Sequence, residues 1–179
     1  MKAWQASSVP KAPRPARDDL VVAGWREWVS LPDVGVPWIK AKLDTGARTS
    51  SIHAYDVERF ERDGVPWARF EIHPWQRSQQ GSIAAALPVV DERMIKSSTG
   101  HEEHRLVVVT TIVVCGREIA SELTLTNRDE MGFLMLVGRE ALRGVALVDP
   151  ERSYLGGRPP RGTRKRNLQR TTTEGEGST

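Results

Sequence analysis

Apolar and polar residues alternate along this chain with the period of a β-strand more often than with that of a helix. Ile39, Ala41 and Leu43 fall on one side of an extended segment, Trp38 to Leu43, and Lys40 and Lys42 on the other. Trp25 to Leu31, bounded by Gly24 and Pro32, alternates imperfectly. Trp67 to Ile72 predicts a strand ended by Pro74, and Ile83 to Val90 and Arg93 to Ser97 predict two shorter ones. The densest signal is Arg105 to Cys115, crowded with β-branched residues. Gly116-Arg117 and a second alternating run, Glu118 to Thr126, complete a predicted hairpin. Phe133 to Val137 is apolar throughout, as in a buried strand, and Val145 to Val148 closes the series. Helical turns are predicted only at Asp56 to Arg62, stopped by Asp63-Gly64, and at Arg139 to Arg143, before Gly144. About eight to ten short strands with little helix predict a small all-β barrel or sandwich.

Charge divides the chain more sharply than hydropathy does. The net charge of +3 combines an acidic body with basic ends: residues 18–157 hold 16 basic and 21 acidic side chains, and the ends carry the surplus of cations. Residues 1–19 are rich in Ala, Pro and basic residues, and residues 156–179 lack apolar periodicity; both are expected to be disordered tails around a body at 20–155. No aromatic residue interleaves with the basic cluster at 158–170, so base stacking is not suggested and nucleic acid is not an expected partner. No apolar run approaches the roughly 20 residues that span a bilayer. The N-terminus lacks the apolar core of a secretory signal. Cys115 is the only cysteine, which excludes an intrachain disulfide framework and a cysteine-rich zinc site. A cytoplasmic protein with no membrane contact is the expectation.

The stretch with the most chemistry in it is Leu43-Asp44-Thr45-Gly46-Ala47, placed where a clean strand ends. An aspartate there leaves the regular ladder on a tight turn. The Thr45 hydroxyl can fix that turn, and Gly46, without a Cβ, lets backbone and substrate approach closely. Two such carboxylates face to face cannot both ionise easily and share one proton. The ionised member then activates a water while the protonated one polarises a carbonyl, and the pair titrates as a unit.

Asp44-Thr45-Gly46-Ala47 followed by Ser/Thr residues, together with the later Leu136-Val137-Gly138, resembles the retropepsins, the single-lobed aspartic proteases. A nearer resemblance is to the bacterial group labelled ATP-dependent zinc proteases, which are retropepsin-like and associated with ATP-grasp glutamate ligases. It rests on Lys42 to Ala54, Phe60 to Gly64, Leu123 to Arg128 and Leu136 to Leu142, in order, over about residues 22–150. The resemblance implies a closed retropepsin-like β-barrel with one or two short helical turns, and a homodimer in which each chain gives one Asp44. Asp44 would be catalytic. Thr45, Gly46 and Ala47 would form its loop, and Leu136, Val137 and Gly138 the segment packed beside it. The association with ligases suggests glutamate-rich or glutamylated peptide or protein substrates and a partner ATP-grasp ligase. One departure stands out: Arg48 and Thr49 occupy the place where retropepsins usually carry a further acid. A cation there would lower the Asp44 pKa if it pointed inward.

Arg48 and Arg128 are candidates for gripping substrate carboxylates. His53, His73, His101 and His104 are the only histidines. His101-Glu102-Glu103-His104 has the wrong spacing for a metalloprotease helix, so a zinc-dependent hydrolase is the least favoured reading and no metal ligand is assigned. No phosphate-binding loop is present, and no cofactor is expected. Ser97 to His101 is a candidate flap tip. The tryptophans are expected in the barrel core or at a dimer interface, and Cys115 is expected as a buried small hydrophobe. The alternative to a peptidase is a non-catalytic module that holds acidic peptides or a partner ligase.

Overall fold

The computed structural model describes residues 19–75, 79, 81–96, 102–126 and 132–163. The strands are β1 (Val21–Gly24), β2 (Arg26–Leu31), β3 (Val36–Asp44), β4 (Ser50–His53), β5 (Tyr55–Arg62), β6 (Val65–Ile72), β7 (Ile83–Lys96), β8 (Glu102–Val114), β9 (Arg117–Thr126), β10 (Met135–Gly138) and β11 (Ala146–Asp149). The single α-helix among the described residues is one turn, α1 (Arg139–Leu142), and a 3-10 turn at Pro32–Val34 joins β2 to β3. Nine strands form one sheet in the order β2-β3-β10-β4-β9-β8-β7-β6-β5. Ser30 of β2 pairs with Val113 of β8, which closes β2, β3, β10, β4, β9 and β8 into a barrel. The expected all-β, retropepsin-like barrel is what the chain forms.

Alternation fills the barrel. Val29, Leu31, Ile39, Ala41, Leu43, Ile52, Val108, Ile112, Leu123, Leu125, Met135 and Val137 point inward and are buried in one apolar cluster. Burying side chains of this size stabilises by about 1.5–3 kcal/mol each relative to exposure, before chain entropy is charged against it. The opposite face of the same strands carries Lys40, Lys42 and Asp44 on β3. The register continues it across the sheet through Leu136, Ser51 and Thr124.

Two hairpins close on left-handed residue pairs. Asp63 (φ 52°) and Gly64 (φ 73°) join β5 to β6 with Arg62 opposite Val65. Cys115 (φ 48°) and Gly116 (φ 77°) join β8 to β9 with Val114 opposite Arg117. Both match two-residue turns whose twist suits a hairpin. Asp56 to Arg62 is therefore strand, not a helical turn: Asp63-Gly64 is a hairpin turn and not a helix stop. Likewise Gly116-Arg117 is displaced by one residue from the true turn, and Cys115 is half-buried beside the core rather than enclosed by it. The two short strands expected between Ile83 and Ser97 are one strand, β7, irregular between Val89 and Asp91.

The described tryptophans lie outside the barrel's apolar cluster. Trp75 is buried and packs on Trp28 with ring centroids 5.8 Å apart; Trp25 meets Phe133 edge-on at 5.8 Å. Trp28 and Trp38 leave the face of β2 and β3 opposite the buried interior positions. Beyond β11 the described chain runs on to Thr163, into residues assigned from sequence to the C-terminal tail. It is anchored by Glu27, a fully buried carboxylate on the inward face of β2. Glu27 accepts hydrogen bonds from the N–H groups of Gly24 (2.6 Å), Leu155 (2.8 Å) and Gly156 (3.1 Å). Parallel pairing of β1 with β11, from Val21 opposite Ala146 to Gly24 opposite Asp149, brings the two ends of the body together. Among the described residues no helix is long and apolar enough to cross a membrane.

Candidate active site

Strand β10 lies between β3 and β4, parallel to β3 and antiparallel to β4. The chain therefore leaves β3 at Asp44, loops across the end of β10 and returns in β4. Val137 stands opposite Leu43, and Gly138 opposite Asp44. The loop 45–49 is held to the start of α1 by two backbone bonds. The Arg139 N–H donates to the Ala47 carbonyl (2.8 Å) and the Glu140 N–H to the Arg48 carbonyl (3.1 Å). Side chains add two more ties: Gly138 N–H to Ser50 Oγ (3.2 Å) and Arg139 Nη1 to the Gly46 carbonyl (2.8 Å).

Gly138 is required here by space, not by backbone conformation, since its φ of −81° suits any residue. A β-carbon on it would lie 2.5 Å from the Thr49 carbonyl carbon and 2.6 Å from its oxygen. The Asp44 loop and the Leu136-Val137-Gly138 segment, distant in sequence, thus form one unit through a single close crossing.

Within that unit Asp44 is tightly held. Its Oδ1 accepts from the N–H groups of Gly46 (3.0 Å) and Ala47 (3.2 Å), and its Oδ2 from Lys42 Nζ (3.1 Å). Partial burial pushes the carboxyl up, but the Lys42 hydrogen bond, the Ala47 N–H, the Lys42 charge and the Gly46 N–H together outweigh it. The carboxyl sits below its ordinary value of 3.8. Asp44 keeps about a quarter of its side chain exposed, enough to meet a ligand or a second chain. Thr45 is exposed and Ala47 half-buried.

The cation next to Asp44 is Lys42, which opens the Lys42 to Ala54 stretch but is given no role by the sequence reading. Arg48 is exposed, and it meets the site through its carbonyl, which accepts from the Glu140 N–H. The cue for Lys42 was present: it is two residues before Asp44 on an alternating strand, so both side chains leave the same face. Arg128, His101 and the flap candidate Ser97 to His101 lie outside the described residues. The three described histidines do not converge. Tyr55 lies between His53 (4.2 Å between ring centroids) and His73 (3.8 Å), and His73 Nε2 is 3.3 Å from Glu71 Oε2. His104 is 3.4 Å from Glu92. Among the described residues no three His, Cys, Asp or Glu side chains are grouped to hold a metal ion, so a zinc site finds no fit there.

A closed barrel carrying one Asp-Thr-Gly loop, crossed by an apolar-apolar-Gly strand, defines the chain as retropepsin-like. The family model described as "Retropepsin-like aspartic endopeptidase RimB" matches residues 22–159, and the chain belongs to this RimB-like family. Among curated proteins it is similar to a "Probable alpha-L-glutamate ligase" of Shewanella pealeana, 49% identical over 137 residues, which are 76% of this chain and 30% of that protein. A protein of the same name from Desulfotalea psychrophila is 45% identical over 72% of this chain and 28% of its own length. The chain thus spans under a third of the curated relatives it matches. A crystal structure of a Legionella pneumophila protein of unknown function is similar in fold (TM-score 0.64, 27% identity), covering 76% of this chain and 98% of that one.

Proposed function

We propose that the chain is an aspartic peptidase that works as a homodimer, each subunit giving one Asp44 to a shared dyad. The observation that carries this reading is the loop: a carboxylate about a quarter exposed, bonded to the Gly46 and Ala47 N–H groups and braced by the Gly138 crossing. One chain holds one such aspartate, and the aspartic-protease mechanism uses two that share a proton. In the dimer, one Asp44 takes a proton from water as it attacks the amide carbonyl. The protonated Asp44 hydrogen-bonds the carbonyl oxygen, and the tetrahedral species collapses as the departing amine is protonated.

Glutamate-rich or glutamylated peptides are the proposed substrates, and the site of action the cytoplasm. The names of the curated relatives support the substrate class, since they join a segment like this one to glutamate-ligase proteins. The same names support an interaction with a glutamate ligase. Cleavage of a glutamate-rich peptide library, read by mass across pH ~4–7, tests the peptidase. Wild type should release fragments and Asp44→Asn should release none, while both keep the same circular dichroism spectrum. Equal cleavage by both proteins contradicts an aspartic mechanism.

A further inference from the structure

The Asp44 carboxylate carries a feature that a proton-sharing dyad does not need: an ammonium bonded directly to it. Lys42 and Asp44 leave the same face of β3, and Lys42 Nζ lies 3.1 Å from Oδ2. The Lys42 side chain is 43% exposed and the Asp44 side chain 26%, so solvent reaches both ends of the pair. Of the other charged groups around it, Arg26, Arg139, Glu140 and Lys40 have contacts of their own. On β2, Arg26 stands opposite Lys42, but its Nε donates to Ser153 Oγ (3.1 Å) and its guanidinium lies over the Trp25 and Tyr154 rings. On β10, the positions opposite Lys42 and Asp44 are Leu136 and Gly138, which carry no charge. On β4, Ser51 follows in the same row. On α1, Arg139 donates to the Gly46 carbonyl and Glu140 pairs with Arg143. On β3 itself, Lys40 lies 5.4 Å from the Trp28 ring centroid, and in the loop Arg48 is exposed.

Lys42 works against the protonation that the proposed mechanism requires. Two Asp44 side chains, each with its own ammonium, form a neutral group of four charges when both are ionised. Adding the catalytic proton makes that group cationic. A substrate carboxylate that drew each Lys42 away would reverse the balance: the dyad would become two neighbouring anions with no counter-charge, which favours uptake of one proton. Lysine suits such an exchange because its ammonium is a point charge on a flexible stem. The pair is also exposed enough to be weak, so an incoming acid can compete for it.

We propose that Lys42 is a positioning residue that couples binding of an acidic substrate to protonation of the Asp44 pair, leaving Asp44 when a substrate carboxylate takes its ammonium. The inference rests on the peptidase reading above and adds how substrate would switch that site on. The proton comes from solvent, and no covalent bond is made in the exchange. In its resting state the site is then poorly competent toward neutral peptides, and selectivity for acidic ones arises from the switch as well as from contact.

The test is the titration of Asp44 followed by carboxyl carbon-13 NMR on the full chain, alone and with saturating hexaglutamate or hexaglutamine. In wild type, hexaglutamate should move the Asp44 midpoint to higher pH and hexaglutamine should leave it in place. In Lys42→Met, Asp44 alone should titrate higher than in wild type, and hexaglutamate should add no further rise. Lys42→Arg, which keeps the charge, should behave as wild type without peptide. A wild-type midpoint indifferent to hexaglutamate overturns the proposal, and needs no variant to be read. So does a Lys42→Met protein that titrates like wild type. Cleavage is not the readout. A wild-type chain that shows the hexaglutamate response yet cuts no peptide would end the peptidase reading and leave the Lys42 coupling standing.

Discussion

Gly138 and Thr49 are closer than any residue with a side chain at position 138 would allow: a β-carbon on Gly138 would stand 2.5 Å from the Thr49 carbonyl carbon. The obstacle is backbone, which cannot swing aside as a flexible side chain does. Gly138→Ala should therefore push the loop off β10, at a cost of about 1–3 kcal/mol in stability as an overpacked contact. Because Asp44 hangs on that loop, peptide cleavage should fall by about 100-fold, the penalty of a displacement on the order of 1 Å. Thermal unfolding and kcat/KM of the variant check the two effects separately.

Glu27 ties the segment after β11 to the barrel. Its carboxylate is fully buried and accepts three backbone N–H groups, from Gly24, Leu155 and Gly156. Hydrogen bonds to a charged acceptor contribute about 1.5–3 kcal/mol each, less where water can replace them. Glu27→Ala should cost about 2–4 kcal/mol by that measure, because Gly24 N–H is left buried. Glu27→Gln should cost less, since one oxygen still accepts. Urea unfolding of both variants measures the difference.

Cys115 senses the same carboxylate. Burial, then the charge of Glu27, raise its thiol, and the Gly156 N–H offsets part of the rise; the thiol is pushed up to about 11. At pH ~8 alkylation by iodoacetamide should run about a hundredfold slower than for an ordinary cysteine. Glu27→Gln removes the charge and should speed it. Mass-detected alkylation rates at several pH values check both statements.

Asp33, on the turn between β2 and β3, binds the strand that closes the barrel. It accepts from the Thr111 N–H (2.6 Å) and the Thr110 hydroxyl (3.2 Å) of β8. The Thr111 backbone bond is the largest cause holding its carboxyl below the ordinary 3.8, against a small upward push from burial. A lowered folded-state value means stability that is present in full above the unfolded value and is lost as pH falls through the folded one. Asp33→Asn should therefore cost on the order of 1 kcal/mol near neutrality. The difference from wild type should shrink below pH ~4 as the wild-type carboxyl protonates. Unfolding curves taken from pH 7 down to pH 3 give the comparison.

The sequence displayed the barrel strands because their alternation is clean wherever one face is apolar. Its irregularities had particular causes. Trp25 to Leu31 alternates badly because Glu27 takes an inward position as a buried tie, which no hydropathy pattern reveals. Asp63-Gly64 punctuates equally well as a helix stop or a hairpin turn, and only the pairing of Arg62 with Val65 decides. The parallel pairing of β1 with β11 joins Val21 to Ala146, a separation over which local pattern carries no information. At the site, the Asp44 loop and the Gly138 strand were legible as motifs. The steric reason for Gly138 was not, since it lies in a contact with Thr49. Lys42 was visible as an outward-facing lysine, but its bond to Asp44 depends on both side chains turning toward each other at the strand end.

A dyad shared between subunits can be poisoned by mixing subunits. A fixed amount of wild type is equilibrated with increasing Asp44→Asn chain, and cleavage of a glutamate-rich peptide is measured. If each dyad takes one Asp44 from each chain, activity should fall as mixed dimers form, and disappear when nearly every wild-type chain is paired with the variant. Activity that stays constant while the variant is added in excess, with mixed dimers demonstrated by mass, would contradict the shared dyad.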